Sequence, residues 1–584
     1  MRRRRRHVRI RPRALVTSLV LLLVLGAGVL ARAESSRIAR GPGELIVALA
    51  GEPGPATSRL LEAFRRDRPD LSLEAIQVPA DPRQLARLLN RGDVDVVLLV
   101  GPYQVEGEAV PPALLEAWLV PGEPFWEAVV PVVRFLHPLR ELTAAEGRAL
   151  LEGRAPEGGG AQPCFPLRLM TAAAFLDGPA WDGISLLAPE QLNVAVQALA
   201  VGGVAPTTEN LATGAYPLSR PLHVLVRSSG RPLGWNLAWP QPVLRRYEPN
   251  LEALQAFLGF LDTAEAHRAA SGEGRAVTLA AVGDIMLARG VGRLVAEQGP
   301  HYPFDLVRDR VQAADVGFAN LESPLGTSGQ PLPGKVIWFR ADPAAAEGLA
   351  RSGFGVLTLA NNHILDYDSE LLLDTLDLLD RHGLAYTGAG RNLEEAMRPV
   401  LFRAGDLTLA FLGFSDFAHI YWSVSYPRTF AATATRPGVA PADPVVVAQA
   451  IALAKEEADF VIAAFHWGDE YVNYPNADQL RMGRHAVEAG ADIVLGSHPH
   501  AVQGFELYQG GFIAYSLGNF IMDQRKPIQV ESMILEIEFT SSGIRQVRVL
   551  PARIEEHRPA ILDGDAAVEA LEKLRRISLS FLGN

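Results

Sequence analysis

The sequence predicts an α/β protein of more than one domain, because of its length and two series of alternating strands and helices. The chain has 584 residues, whereas a single hydrophobic core stops growing at roughly 250–300 residues. In residues 44–100, and again from residue 276, short apolar runs alternate with helical segments. Such alternation is typical of parallel sheets with right-handed crossovers.

The composition describes an ordinary globular body with a basic N-terminal tip. Hydrophobic residues make up 48 % of the chain and charged residues 21 %, which excludes a mostly disordered protein and a polytopic membrane protein. The net charge is −11, but residues 1–33 hold nine Arg and no acid, so 46 basic and 66 acidic residues remain. An acidic body excludes a nucleic-acid scaffold, since phosphate backbones require basic surfaces. Cys164 is the single cysteine, which excludes an intrachain disulfide and a Cys-based metal site.

Residues 1–33 are predicted to be a targeting segment. Eight Arg precede an apolar run from Ala14 to Ala31, and Ala31-Arg32-Ala33 has the small-x-small form of a signal-peptidase site. The 18 residues of this run are also the lower limit for a membrane span, so a cleaved signal peptide and an uncleaved anchor both remain open. Either alternative places residues 34–584 outside the cytoplasm, in the cell envelope.

Residues 44–262 are predicted to form the first domain, after a linker at 34–43. The predicted order of strand, helix, strand, helix, strand follows from the runs ELIVALAG, ATSRLLEAFRRDRP, LSLEAIQV, PRQLARLLNRG and DVDVVLLV. The Gly/Pro-rich stretch 153–164 is predicted to be a loop. Residues 263–275 lack apolar periodicity and are predicted to be the linker to a second domain.

Residues 276–555 are predicted to form the second domain, followed by a helical tail at 556–584. Apolar strands are expected in VTLAAVG, DVGFAN, GVLTLA, LTLAFLGF, DFVIAAFH and ADIVLG. Helices are expected near 343–352, 369–382, 444–457 and 477–489. Residues 503–553 are expected to be rich in β-structure.

Polar side chains that bind metals follow five of these strands. They are Asp284; Asn320 and Glu322; Asn361, Asn362 and His363; His466; and His498 and His500. Ligands of α/β sheets gather at the carboxyl ends of the strands, so these residues are expected to converge on one site. Nitrogen and oxygen ligands without sulfur favour Zn, Mn or Fe. Two such ions about 3.5–4 Å apart, bridged by a carboxylate, would activate a water molecule and hold a phosphoryl-like oxyanion.

Six ordered motifs in this half begin at Gly283, Asn320, Ala360, His466, Gly496 and Ser516, and read GDIML, NLESPL, ANNHILD, HWGDEY, GSHPH and SLGNF. Together they resemble the CapA family, which is linked to capsule poly-γ-glutamate synthesis within the calcineurin-like metallophosphatase superfamily. The resemblance covers about 276–555. It implies a metallophosphatase-like α/β sandwich that binds divalent metal.

The resemblance also implies a role for each matching residue. The matching metal ligands are Asp284, Glu322, Asn362, His466, His498 and His500. Glu322 stands where a bridging aspartate is usual in the superfamily. His363 matches the histidine that assists the leaving group, and Asp366, three residues later, would orient His363.

The sequence departs from the superfamily pattern on the first strand. The usual Asp-x-His motif reads Asp284-Ile285-Met286 here, so one metal would lose a histidine ligand. Asp469 and Glu470 are candidates to replace it. One and two divalent ions are therefore both compatible with the sequence.

Residues 204–222 resemble a segment of the phosphate-binding proteins of ABC importers, in which a Gly-x-Tyr-Pro-x-x-Arg-Pro stretch leads into a strand. Tyr216 and Arg220 belong to this stretch. The resemblance covers about 44–262 and implies a type II periplasmic-binding-like fold, with the chain crossing between two lobes. Residues 78–84 lack the Gly/Ser-rich phosphate loop. Phosphate binding therefore does not carry over, and Tyr216 and Arg220 are interpreted as scaffold.

Three functions fit this sequence. The first is an exported, envelope-attached metal-dependent hydrolase that acts on a cell-surface polymer or its phosphorylated precursor. The second is a non-enzymatic assembly protein with a degenerate metal site, in contact with a capsule-synthesis membrane complex. The third is a solute sensor whose first domain binds a small anion or another solute. Nucleic acid is not expected as a partner.

Overall fold

The computed structural model describes residues 44–582 with gaps, and the statements below refer to this part of the chain. The gaps are residues 52–53, 92–93, 101–124, 129, 138, 156–167, 178–182, 188–190, 208–209, 212, 214, 227–255, 258, 262–275, 424 and 427. The predicted leader and both predicted linkers lie outside the described residues, as does most of the predicted loop at 153–164. Within the described part, no helix has both the length and the apolar character that a membrane span requires.

Strands and short helices alternate in the first domain. Its described strands are β1 (Glu44–Ala50), β2 (Ser72–Val78), β3 (Val96–Val100), β4 (Phe125–Ala128), β5 (Val130–Arg134), β6 (Glu141–Leu142), β7 (Arg168–Leu169), β8 (Gly183–Leu187), β9 (Val196–Ala198), β10 (Ala200–Val201) and β11 (Ser219–Val226). Its described helices of more than four residues are α1 (Pro55–Asp67), α2 (Pro82–Arg91), α3 (Ala144–Leu151) and α4 (Ala172–Asp177). The predicted order of elements over 44–100 is confirmed.

These strands form two main sheets within the described residues. The first has the order β2-β1-β3-β11-β4, with β1 parallel to β2 and β3 and with β11 antiparallel to β3 and β4. The second has the order β7-β8-β5-β9. The chain enters the second sheet at β5 and returns to the first with β11, which confirms two α/β lobes with a crossing chain. Tyr216 is fully buried and its hydroxyl donates to the Leu199 carbonyl (2.9 Å), in agreement with a scaffold role.

The second domain continues the alternation and ends in long antiparallel strands. Its strands are β12 (Val277–Ile285), β13 (Val316–Leu321), β14 (Phe354–Thr358), β15 (Ala385–Thr387), β16 (Ala389–Gly390), β17 (Val400–Ala404), β18 (Leu407–Ser415), β19 (Gly438–Val439), β20 (Phe460–His466), β21 (Ile493–Ser497), β22 (Phe505–Tyr508), β23 (Gly511–Ala514), β24 (Asn519–Ile521), β25 (Glu531–Thr540), β26 (Gly543–Glu555) and β27 (Arg558–Ile561). Its helices are α5 (Arg289–Gln298), α6 (Arg308–Gln312), α7 (Ala345–Arg351), α8 (Asp368–Arg381), α9 (Leu393–Met397), α10 (Pro444–Glu457), α11 (Ala477–Glu488), α12 (Pro527–Val530) and α13 (Gly564–Leu582). The four predicted helices are confirmed as α7, α8, α10 and α11.

Two large sheets organise this domain. One has the order β15-β14-β13-β12-β25-β26-β27, with β24 beside the end of β12. The other has the order β17-β18-β20-β21-β23-β22. Strands β12, β13, β14 and β15 are parallel to one another in the first sheet, whereas β25 runs antiparallel to β12. In the second sheet β18, β20, β21 and β23 are parallel. Their carboxyl ends therefore lie at a common edge in each sheet.

The two sheets pack face to face, with helices on their outer faces. On β18, Leu409 and Phe411 belong to the cluster between the sheets, whereas Ala410 and Leu412 belong to the cluster that includes α10. Phe318 of β13 stacks on Phe411, with ring centroids 5.6 Å apart. A strand that is apolar on both faces is typical of a sheet covered on both sides. The implied α/β sandwich is thus confirmed.

The C-terminal helix begins later than the predicted tail at 556–584. Residues Arg558–Ile561 form β27, which pairs with β26, and α13 starts at Gly564. Glu556 and His557 have φ values of 49° and 68°, as a two-residue type I′ hairpin turn requires. The hairpin therefore extends the sheet into the predicted tail.

The described parts of the two domains touch. Phe135 lies edge-on to Phe505 and Phe512, with ring centroids 5.6 and 5.5 Å apart. The buried Arg545 donates from Nη2 to the Pro206 carbonyl over 2.7 Å. Aromatic packing and a charge-assisted hydrogen bond thus connect the first domain to strands β22, β23 and β26 of the second.

Candidate metal centre

The six residues predicted as metal ligands lie at, or just beyond, the carboxyl ends of five strands. Asp284 belongs to the end of β12, and His466 ends β20. Glu322 directly follows β13, Asn362 follows β14, and the two later histidines follow β21. All six are buried, with exposed fractions of 0 % for Asp284 and Glu322, 5 % for Asn362, 1 % for His466, 3 % for His498 and 4 % for His500.

Two groups of these side chains are compact enough to bind an ion each. Glu322, His466 and His498 offer ligand atoms that all lie within 4.8 Å of one another. Asp284, Glu322 and His500 form a second such group. Asn362 adjoins the first group, since its Oδ1 is 3.0 Å from His466 Nε2. Glu322 is common to both groups, which is the arrangement expected of a bridging carboxylate.

The surroundings of the Glu322 carboxylate show whether a cation would be stable at this centre. Both of its oxygens are buried, and neither accepts a hydrogen bond from the described residues. Burial, together with the charge of Asp284, raises the pKa of Glu322 well above its usual value. A buried carboxylate without a donor is costly, and a divalent cation between carboxylate and imidazole ligands would remove that cost. The side chains present therefore fit a divalent metal, with one or two positions.

The three histidines differ in electrostatic state. Burial lowers the pKa values of His466 and His498 well below the usual range, so both rings are neutral and carry a lone pair that can bind metal. Burial also opposes the charged form of His500, but the carboxylates of Glu322 and Asp284 raise its pKa to about 9. His500 Nδ1 is 3.2 Å from Asp284 Oδ2. A metal cation would compensate the same carboxylates and displace this proton.

Neighbouring polar groups orient the candidate ligands. Asn320 donates from Nδ2 to Asp284 Oδ1 (2.8 Å), and Asn361 donates in turn to Asn320 Oδ1 (3.1 Å). Ser497 Oγ lies 3.0 Å from His466 Nδ1, and Asn519 Oδ1 lies 2.9 Å from His500 Nδ1. Such outer contacts fix ring orientation in metal sites. Ser497 and Asn519 lie within the GSHPH and SLGNF motifs, but neither is among the residues that the sequence predicts for the site.

The turn after β21 directs the two later histidines. His498 and His500 have φ values of 95° and 51°, which non-glycine residues rarely adopt. Gly496 precedes them, and a Cβ there would lie 1.9 Å from the Tyr515 carbonyl oxygen. The GSHPH motif therefore combines a close strand contact with a strained turn, as is common at functional sites.

His363 and Asp366 form a buried pair beside the ligands. His363 Nδ1 is 2.7 Å from Asp366 Oδ2, and its ring stacks on Phe339 with centroids 3.9 Å apart. Burial lowers the pKa of His363 to about 4. Lys335, which the sequence analysis missed, contacts Asp366 Oδ1 and the Asn362 carbonyl. The only sequence signal for Lys335 is a cation in a Pro/Gly-rich loop, which usually marks an exposed side chain.

The predicted departure at Met286 has a structural counterpart. Met286 is fully buried in the outer apolar cluster of the first sheet, and its sulfur lies 3.1 Å from the Ala288 amide nitrogen. Glu470 groups with His498 and His500 within the same 4.8 Å limit, although its own side chain is exposed. Asp469 instead accepts from Asn476 Nδ2 (3.0 Å). Of the two candidates to replace the lost ligand, Glu470 is therefore the better placed.

Comparisons with known proteins agree with this domain. The family model described as bacterial capsule synthesis protein PGA_cap matches residues 278–524. The PGA biosynthesis protein CapA of Bacillus subtilis is 34 % identical over 287 residues, covering 49 % of this chain and 73 % of the relative. The capsule biosynthesis protein CapA of Bacillus anthracis is 33 % identical over 294 residues, covering 49 % of this chain and 70 % of the relative.

Among solved structures, an ABC-type phosphate transport receptor from Vibrio cholerae shares 16 % identity, covering 38 % of this chain and 96 % of its own. Its TM-score is 0.27, too low for any argument about fold or ligand. The two Bacillus relatives, by contrast, exceed 30 % identity over more than two thirds of their length. The chain therefore belongs to the CapA family of bacterial capsule and poly-γ-glutamate synthesis proteins.

Proposed function

We propose that the protein is a divalent-metal-dependent hydrolase of capsule or poly-γ-glutamate synthesis. It would act on a cell-surface polymer, or on the phosphorylated precursor of one. The observation that supports this most is Glu322, a buried carboxylate without a hydrogen-bond donor that is common to two groups of metal-capable side chains. Mn, Fe and Zn all suit the nitrogen and oxygen donors.

The roles of the side chains follow from their contacts. Bound metal would supply an activated water molecule and charge compensation for an oxyanion. Asp284, Glu322 and the three histidines would hold it. Because Asp366 accepts from His363 Nδ1, the other ring nitrogen, Nε2, remains for a leaving oxygen. An anionic group bound beside His363 would raise its low pKa and so favour proton donation.

Location outside the cytoplasm belongs to the proposal. Its support is the sequence of residues 1–33, with an Arg-rich start, an apolar run and an Ala31-Arg32-Ala33 cleavage pattern. A capsule-synthesis membrane complex is then a natural partner. N-terminal sequencing of the exported protein would distinguish a cleaved leader from an anchor.

Metal content is the direct test. The purified chain should contain stoichiometric divalent metal, and a variant with both His498→Ala and His500→Ala should lose the metal and any phosphoesterase activity. His485→Ala is the matched control, because His485 lies on α11 and contacts the Pro444 carbonyl, away from the centre. A wild-type chain that takes up no transition metal would overturn the proposal.

The alternative is an assembly protein whose metal centre is degenerate. The observation in its favour is Met286, which packs in the apolar cluster where the superfamily places a ligand. Polymer export separates the two functions. Export that is unchanged by loss of His498 and His500 would favour assembly, whereas export that fails would favour catalysis.

A further inference from the structure

Exposed apolar side chains are concentrated around the metal centre. Fourteen large apolar side chains are exposed among the described residues, and eight of them lie on three loops next to the centre. We call these eight the apolar rim: Val336 (85 % exposed), Ile337 (51 %), Trp338 (38 %), Ile420 (41 %), Tyr421 (68 %), Tyr471 (38 %), Val472 (40 %) and Tyr474 (55 %). Large exposed apolar patches on proteins commonly mark interaction sites.

Each loop of the apolar rim also places an aromatic ring against a residue of the centre. Phe339, next to Trp338, stacks on His363 at 3.9 Å between centroids. Phe417, at the start of the second loop, lies 4.2 Å from the His498 ring. Tyr471 itself stacks on His500 at 6.0 Å. The three loops of the apolar rim are therefore adjacent to the metal centre.

Hydrogen bonds and a cation–π contact tie these loops to their surroundings. The exposed apolar side chains therefore belong to ordered loops. Gln503 donates from Nε2 to the carbonyls of Val472 (3.0 Å) and Tyr474 (3.1 Å). Lys335 Nζ lies 4.6 Å from the Trp422 ring centroid and joins the first loop to the second. Apolar side chains on fixed loops form a preorganised surface, which lowers the entropy lost on binding.

We infer that the substrate is an amphiphile, with a phosphoryl head for the metal centre and a hydrocarbon chain that lies on the apolar rim. This deepens the proposed function and rests on it. Charge complementarity favours the anionic head: metal would lie at the carboxylates, and Lys526 Nζ is 5.6 Å from the Tyr471 ring at the edge of the centre. The rim offers aliphatic and aromatic contacts to the remainder of the same molecule. Sites for small molecules commonly combine apolar side chains with a small number of polar groups that fix the orientation of the ligand.

Binding of n-alkyl phosphonates to the full-length, metal-supplemented protein tests the inference. Methyl-, butyl- and octylphosphonate have the same head group and resist hydrolysis. Differences in their affinities therefore report the contribution of the alkyl chain alone. Each fully buried methylene is worth about 0.8 kcal/mol, or roughly fourfold in affinity. With partial burial, we expect octylphosphonate to bind at least about tenfold more tightly than methylphosphonate by calorimetric titration.

A double variant in the apolar rim and a control variant elsewhere test whether the rim binds the alkyl chain. Ile337→Ser with Tyr421→Ser should abolish the dependence on chain length while leaving methylphosphonate binding unchanged. Leu453→Ser is the matched control, since Leu453 is 61 % exposed but lies on α10. Equal affinity for all three phosphonates, or equal loss in the control, would overturn the inference. Rim-dependent binding to phosphatidylcholine vesicles without discrimination by chain length would also overturn it, in favour of a bilayer.

The outcome for the proposed function is read separately, from metal content and turnover. If the protein contains metal but binds all three phosphonates equally tightly, the amphiphile inference is wrong and the hydrolase proposal is retained. If the protein holds no metal but still discriminates chain length through the apolar rim, the hydrolase proposal and the metal-bound head are both wrong, and only the contact between the hydrocarbon chain and the rim is retained. A metal-free protein without discrimination overturns both.

Discussion

Lys335 and Asp366 form an ion pair that is buried behind the imidazole of His363. Their side chains are 5 % and 0 % exposed, and Lys335 Nζ is also 3.4 Å from His363 Nδ1. An ionised Asp366 only accepts hydrogen bonds, so the proton of neutral His363 stays on Nδ1. Lys335 compensates the carboxylate that sets this tautomer, and it does so from a loop that is distant in sequence.

Removal of the lysine charge should destabilise the protein strongly. Lys335→Met leaves Asp366 buried without its cation, and such broken pairs cost about 3 kcal/mol or more. Lys455→Met provides the control, because Lys455 pairs with Asp492 at the surface and exposed pairs contribute about 1 kcal/mol at most. Urea unfolding of both variants is the measurement. Equal shifts of the two urea midpoints would show that the buried ion pair contributes no more to stability than the surface pair.

Loss of the His363 ring should affect turnover and leave metal binding intact. A positioned acid or base contributes about 10²- to 10⁴-fold, so His363→Ala should lower kcat by that factor. The metal content should stay at the wild-type level, since His363 is not a member of the metal-capable groups. His382→Ala, on the exposed end of α8, serves as control. A variant that loses its metal instead would assign His363 to the ligands.

Sequence alone predicts much of the centre because long apolar strands stop abruptly at polar residues. All seven residues of β20 are buried, and His466 is the last of them. Asp284 is also buried, and it is the last residue but one of β12. Continuous apolar runs of this length identify buried strands, and parallel strands carry their ends to one edge. The sequence therefore places Asp284 and His466 at strand ends, whereas their approach to one another depends on how the two sheets that contain β12 and β20 pack.

The contribution of Lys335 could not be predicted in this way. It lies on a loop without periodicity, and its contacts to Asp366 and Trp422 depend on how three loops pack. Exposed lysines are so common that residue type gives no signal. The start of α13 was also beyond the sequence pattern, since the hairpin at Glu556 and His557 is a local turn with few side-chain constraints.

Glu322→Gln should show that the Glu322 carboxylate destabilises the metal-free protein and is required for stabilisation by metal. In metal-free protein the buried carboxylate of Glu322 accepts no hydrogen bond and is disfavoured by the charge of Asp284, so the neutral variant should have a higher melting temperature than the wild type. Metal added at 100 times Kd should stabilise the wild type by about 2.7 kcal/mol but leave the variant unchanged. Thermal unfolding with and without Mn²⁺ tests both expectations. A metal response that survives in the variant would exclude Glu322 as a shared ligand.

Glu470 and Asp469 provide a matched pair for the departure at Met286. Glu470→Gln should weaken metal binding, because the Glu470 carboxylate groups with His498 and His500. Asp469→Asn should leave binding unchanged, because Asp469 is directed to Asn476. Metal titrations of both variants give the comparison. Equal affinities would show that Glu470 does not replace the lost histidine ligand.

The stability of the protein should depend on pH through His137, near the contact between the domains. Burial, reinforced by Arg140 and Arg575, lowers the pKa of His137 to about 4. Its Nδ1 lies 3.2 Å from the Leu139 amide nitrogen, a contact that requires the unprotonated atom. Between pH 6.5 and about 4 the unfolded chain binds this proton and the folded chain does not. Stability from this group is therefore complete above pH 6.5 and is lost as the pH falls.

At pH 5 the difference between folded and unfolded pKa values corresponds to roughly 2 kcal/mol. His137→Asn keeps an acceptor for the Leu139 amide but cannot take up the proton, so its stability should fall less between pH 7.5 and pH 5 than that of the wild type. His382→Asn controls for an exposed histidine. Denaturant midpoints at the two pH values provide the measurement. If wild type and His137→Asn lose the same stability on acidification, His137 is protonated in the folded protein and the proposed origin of the pH dependence is wrong.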